Sequence, residues 1–218
     1  MRVLLVSIAI IHVLNLPAVW LRYHEVPIRG ASYYVALFSV SSEGALPTWY
    51  SAVTLLLCAV LLGVIAAVHR GQAFRAHWSA LAVIFGLMSL DEATAIHEML
   101  TAPLRARLHT GGVLFFAWVI PGLVFVAVLA FAYAKFLWSL PRRTSALFLL
   151  AGTTYLAGAL GMEMAAGLYV ETRGYTFAYG LLGTLEEVLE MGGVALFIYG
   201  LLDHLERHVG RLEIALRP

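Results

Sequence analysis

Six stretches of this chain are long and apolar enough to cross a bilayer as helices, and that restricts the fold more than any other feature. A helix needs about 20 mostly apolar residues to traverse roughly 30 Å of hydrocarbon. The stretches fall at 3–20, 47–68, 78–100, 113–137, 145–169 and 178–202. Turn signals lie between them: GALP before the second, TAPLRARLHTGG before the fourth, LPRRT before the fifth. Only 12% of the residues are charged, against about a quarter in a soluble domain. The expectation is an all-α polytopic membrane protein, one bundle of six transmembrane helices forming a single domain over 1–218. No soluble domain and no internal repeat is visible.

The N-terminal run lacks a small-x-small cleavage site before LRYHEVP, so it reads as a retained first span. Pro121 lies inside the fourth span, where neighbouring helices tolerate a kink. The long connection 21–46 reads as either an interfacial or a re-entrant segment. Basic loop residues give the direction. Arg2, Arg70, Arg75, Lys135, Arg142, Arg143, Arg207, Arg211 and Arg217 fall on one side; Arg22, Arg29, Arg105, Arg107 and Arg173 fall on the other. The excess puts both termini in the cytoplasm. Trp20, Tyr23, Trp49, Tyr50 and Tyr179 then form an outer aromatic belt. A multi-pass protein of the bacterial inner membrane is expected, with the lipid bilayer as its first partner. No basic patch points to nucleic acid, and the lone Cys58 permits neither an internal disulfide nor a thiolate zinc cage.

Thirteen residues are acidic. Glu25, Glu43, Glu171, Asp203, Glu206 and Glu213 fall in loops or tails. The other seven lie inside spans: Asp91, Glu92 and Glu98 in the third, Glu163 in the fifth, Glu186, Glu187 and Glu190 in the sixth. Asp91, Glu163 and Glu186 come to a similar depth, about 10–13 Å below the outer boundary at about 1.5 Å per residue. No lysine or arginine shares that layer. One ionised acid at the bilayer centre costs about 3 kcal/mol on insertion scales, so protons, cations or a wet cavity must neutralise the set. Glu190 neighbours both Glu186 and Glu187 on the helix surface. Asp91 and Glu98, seven apart, share a face of the third helix; Glu92 and His97 point to its two sides.

Carboxylates and a histidine offered by facing helices resemble the donor sets of di-iron and di-manganese bundle proteins, although the two Glu-x-x-His motifs of that class are absent. Zinc, manganese, iron or calcium suits the oxygen-rich set. Met88, Met99, Met162, Met164 and Met191 lie beside the acids and would suit Cu(I), while core packing explains them without chemistry. His69, His77, His204 and His208 read as solvated at the cytoplasmic surface. His12, with Asn15, reads as an interhelical hydrogen bond, and His24 and His109 as exposed outer-loop residues. Glu163 has an alternative as a protonated, hydrogen-bonded acid, and Asp91 to Glu98 as an interfacial extension if the third span ends at Met88. No phosphate-binding loop, nucleophilic serine motif or zincin helix is present; position 101, where a zincin needs histidine, is Thr101.

The pair SLDEATAIHE and TLEEVLEMGG resembles a pattern of uncharacterised multi-pass bacterial membrane proteins. The resemblance implies only that the two acidic segments form one module. The leading expectation is an acidic metal site in the outer half of the bundle, made from Asp91, Glu98, Glu186, Glu187 and Glu190 with Glu92, His97 and Glu163. Its use would be a metal-dependent hydrolase or oxidase acting on a lipid or other membrane-accessible small molecule. A proton- or cation-coupled transporter and a structural or assembly subunit are the alternatives. A transporter needs polar groups through the cytoplasmic half, where the spans are almost purely apolar.

Overall fold

The computed structural model describes residues 1–24, 27–42, 44–69, 71 and 73–208. Of the residues used above, Glu25, Glu43, Arg70, Arg211, Glu213 and Arg217 lie outside the described residues. Every regular element among the described residues is helical: α1 (Arg2–His24), α2 (Ala31–Phe38), α3 (Leu46–Val68), α4 (Arg75–Thr94), α5 (Ile96–Met99), α6 (Thr101–Leu108), α7 (Val119–Ser139), α8 (Arg142–Leu156), α9 (Glu163–Arg173) and α10 (Phe177–His208). A 3-10 turn covers Gly112–Leu114, and a π-turn, Ala157–Met162, joins α8 to α9.

Four helices are long and apolar enough to cross a bilayer: α1, α3, α7 and the α8–α9 rod. A fifth is added if α4 and the bent segment after it count as one span. Their outward surfaces are strongly apolar. Val3, Val13, Phe131 and Trp138 are 78%, 66%, 90% and 85% exposed, a surface suited to hydrocarbon rather than water.

The hub is α10. Its small residues Gly193, Ala195 and Gly200 are buried and let neighbouring helices approach closely. Behind it, Leu55, Cys58, Leu62 and Ile65 of α3 meet Trp78 of α4, Phe136 of α7, Phe148 of α8 and Phe197, Ile198 and Leu201 of α10. At the inner end, Arg143 and Arg207 both hold buried Asp203 (3.0 Å each). Asp203 is thus a paired residue of α10, not the loop acid expected. Hydrogen bonds from Arg143 and Arg207 hold its carboxyl below the usual carboxylate range.

Several boundaries differ from expectation, each for a local reason. The third span does not run to Leu100. Helix α4 ends at Thr94, Ala95 is left-handed (φ 50°), and the chain turns by 67°. The fourth span starts at Val119 rather than 113, so Pro121 sits in the first turn of α7 and kinks nothing. The connection 21–46 carries α2, which folds back along α1: Tyr34 Oη donates to Leu14 O (2.9 Å) and Val40 N to Asn15 Oδ1 (3.0 Å). Asn15 also donates to Thr184 of α10 (2.9 Å), the interhelical bond expected there. His12 instead bonds Ile8 O of its own helix.

The four histidines expected at the surface are not uniformly solvated. His204 is 3% exposed, between the rings of His69 and His208. His77 stacks on Phe136. Ring packing encloses both.

Adjacent glycines of α10 give a direct test of this packing. A Cβ on Gly193 would stand 2.7 Å from Tyr155 N and 2.9 Å from Ala151 O, both backbone atoms of α8; one on Gly192 meets nothing within 4 Å. Gly193→Ala is expected to destabilise the fold by about 1–3 kcal/mol. Gly192→Ala is expected to stabilise it by up to about 1 kcal/mol through helix propensity. Thermal melts of the two purified variants in detergent check the opposite signs.

Candidate functional site

The break at Ala95 explains how the third span can end in acids. The start of α5, directly after the left-handed residue that ends α4, exposes backbone N–H donors that need an acceptor. Asp91 supplies it: Oδ1 accepts from His97 N (2.9 Å) and Oδ2 from His97 Nδ1 (2.6 Å). Asp91 therefore clasps the turn, and His97 is folded back onto the residue that an unbroken helix would have kept on another face. With Nδ1 engaged, the other ring nitrogen of His97 is the one left to meet a ligand, the arrangement by which a carboxylate orients a histidine.

The ring edge of His97 packs on Trp118 (4.5 Å between centroids), and Trp118 Nε1 donates to Glu163 Oε1 (2.9 Å). Glu163 follows the π-turn directly. In a helix bonded i to i+5, residues five apart align, whereas in an α-helix they diverge by about 140°. Gly158 and Glu163 therefore both address α10. Gly158 lies so close that a Cβ would be 2.7 Å from Glu186 O and 2.8 Å from Glu190 Cγ. Glu163 and Glu186 lie beside each other between α9 and α10.

One cavity of about 620 Å³ gathers these groups. Its outer end is lined by Asp91, Glu92, His97, Glu98, Glu163, Glu186 and Glu190, with Trp118 and Tyr155 beside them. Glu98 is exposed and the others are half-buried. Glu187, expected in the site, does not line the cavity; it lies on α10 between Glu186 and Val188, half-buried. No lysine or arginine lines the cavity, and no ion pair among the described residues reaches Glu92, Glu163, Glu186, Glu187 or Glu190. Seven of the eight expected site residues thus share one cavity.

The cavity continues inward from the acids as an apolar trough, walled by Phe85 of α4, Leu129 and Ala130 of α7, Phe148 of α8 and Phe197 of α10. Helix α7 forms its outer side. Only Val119 and Phe136, near the two ends of α7, are buried. Between them the helix stands off from the bundle. The eleven helical steps from Glu186 to Phe197 give the trough a length of about 16 Å.

Among the described residues no group of three His, Cys, Asp or Glu side chains is arranged to hold a metal ion. The donors occur as pairs, Asp91 with His97 and Glu163 with Glu186. Of the remaining histidines, exposed His109 ends α6, and His24 stacks on Trp20 (5.0 Å). Neither lines the cavity.

Trp118, Tyr155 and Gly158 escaped the sequence reading. Trp118 lay inside an apparent span, because the helix start at Val119 is not marked by a polar cap. Tyr155 and Gly158 depend on the π-turn, whose only trace is the paired glycines of AGALGM.

The clasp predicts a structural role for Asp91. Asp91→Ala is expected to cost about 1–2 kcal/mol, a charge-assisted bond discounted for part exposure. It should also speed amide exchange across Ile96–Leu108. Gly86→Ala, where a Cβ meets nothing within 4 Å, is expected to leave that exchange unchanged. Hydrogen–deuterium exchange on both variants makes the comparison.

The family model described as Domain of unknown function (DUF8692) matches residues 3–205. No curated protein and no solved structure matches the chain. A match across almost the whole bundle, acid-lined cavity included, means that this chain belongs to the DUF8692 family of domains of unknown function.

Proposed function

We propose that the chain is a six-crossing protein of the bacterial inner membrane, both termini cytoplasmic, that takes a membrane-borne amphiphile into its cleft and acts on the head with its carboxyl groups. The observation that carries this reading is the single cavity joining an acidic end to an apolar trough behind α7. Helix α10 supplies the sixth crossing. It is the hub of the packing, and its acids Glu186 and Glu190 turn into the cavity. The tail of an amphiphile fits the trough, and its head meets Glu163 and Glu186, a neighbouring carboxyl pair suited to general acid–base work. The apolar inner half weighs against a transport path, which needs polar groups through the whole membrane.

A second reading keeps a divalent metal at the acid end, favoured by His97, whose Nδ1 is held by Asp91. The donor chemistry suits zinc, manganese or iron, with His97, Glu163 and Glu186 as ligands and Glu92, Glu98 and Glu190 within the same cavity. The observed side chains do not form a three-donor cage, so binding would require them to move. A bound metal would supply Lewis-acid polarisation. Elemental analysis of detergent-purified wild type beside a Glu186→Gln/Glu190→Gln variant tests it: stoichiometric metal lost in the variant supports this reading, and equal content ends it.

The principal reading is tested by photolabelling with a diazirine-tailed dodecanol. Adducts are expected on inward residues such as Ala130 and Val194, lowered at least tenfold by Ala130→Trp, which fills the trough. Adducts confined to outward Phe131 and Val128 would mean that no chain enters. Topology is tested in a Cys58→Ala background: single cysteines at Arg2 and Glu206 should label from the cytoplasmic side and one at Arg173 from the other.

A further inference from the structure

The nature of the head group follows from what the cavity lacks. The outer end presents six carboxyl-bearing residues, Asp91, Glu92, Glu98, Glu163, Glu186 and Glu190, and no lysine or arginine. Asp91 is committed to His97, and Glu163 and Glu186 lie beside each other. An anionic head is repelled by this end. A neutral head brings no positive group to an end that has neither lysine nor arginine. A cationic head supplies the charge that the chain does not, and each carboxylate it meets can accept one of its N–H bonds.

The aromatic groups fit the same head. Trp118 and Tyr155 line the acid end, and aromatic faces attract ammonium groups. The indole N–H of Trp118 is spent on Glu163, which leaves the ring face rather than the donor for a ligand. The volume limits the tail. A cavity of about 620 Å³ is in the range that holds one small molecule, about 300–1,000 Å³, and its trough is a single channel behind α7.

We propose that the occupant of this cleft is a single-chain amphiphile with an ammonium head, its tail along Phe85, Leu129, Phe148 and Phe197 and its head among Glu92, Glu163, Glu186 and Glu190. This rests on the cleft reading above and names its substrate class. The head and a divalent metal would compete for the same carboxyl groups. Entry is sideways beside α7, so the tail never leaves hydrocarbon while the head passes to the acid layer.

Competition against the photolabel tests the assignment, with purified full-length protein in maltoside micelles at pH 7 and EDTA present throughout. Dodecylammonium, dodecanol and dodecyl sulfate are compared at equal micellar fraction. Dodecylammonium is expected to displace the label at a concentration at least tenfold below dodecanol, with dodecyl sulfate weakest. Propylammonium, which has the head without the tail, is expected to displace it no better than dodecanol. The Glu163→Gln/Glu186→Gln variant is expected to reduce the preference for ammonium over alcohol to about threefold or less while still taking the label. Labelling of the trough in both proteins shows that each is folded. Equal displacement by the ammonium and the sulfate, or an unchanged preference in the double variant, overturns the head assignment and leaves the cleft reading standing. Failure of the alcohol probe to label the trough in wild type overturns both.

Discussion

The cost of keeping carboxyl groups in a low-dielectric cavity without lysine or arginine governs this structure. Each ionised acid placed there costs on the order of 3 kcal/mol, and a whole domain is stable by only about 5–15 kcal/mol. The fold answers in three ways. Asp91 is spent on a histidine and a backbone amide. Glu163 and Glu186 are placed side by side, so that neutralising one relieves the other. Glu92, Glu98 and Glu190 border the same cavity. Opposite choices appear at the inner end, where buried Asp203 is answered by two arginines. The contrast makes the absence of a base at the outer end a property of the site.

The helices that carry these acids are bent to the purpose. An unbroken α4 would send His97 away from Asp91. The left-handed Ala95 turns the chain back, at the expense of a conformation that residues with a Cβ adopt rarely. The following segment crosses to Trp118, and through Trp118 to Glu163. Acids from three parts of the sequence are thus joined by hydrogen bonds and ring contacts as well as by depth. The trough below them is made differently, by α7 being anchored near its ends and left apart in the middle.

Much of this was legible in the residues. Apolar runs and turn signals located every long helix, and depth counting brought Asp91, Glu163 and Glu186 together. The rest was hidden for definite reasons. Helical geometry was assumed to be regular, so the break at Ala95 and the π-turn at Ala157–Met162 were invisible, and with them the partners His97, Trp118 and Tyr155. Glu187 was grouped with Glu186 and Glu190 because Glu190 neighbours both on the helix surface, although Glu186 and Glu187 themselves differ by about 100° in direction. Asp203 looked like a tail acid because the apolar run ends before it, while α10 continues to His208. Tertiary contacts, not hydropathy, set that length.

The single π-turn has a wider bearing on how the fifth rod is geared. Below it, α8 meshes with α10 through Ala151 and Tyr155 against Gly193. Above it, Gly167 of α9 meshes with a different surface, the Phe115 and Phe116 side chains and the Gly112 carbonyl. One rod therefore serves two partners whose bearings a uniform helical pitch would not match, and the mismatch is absorbed within six residues beside the acids. Chain length through 157–162 is consequently as tightly specified as side-chain identity.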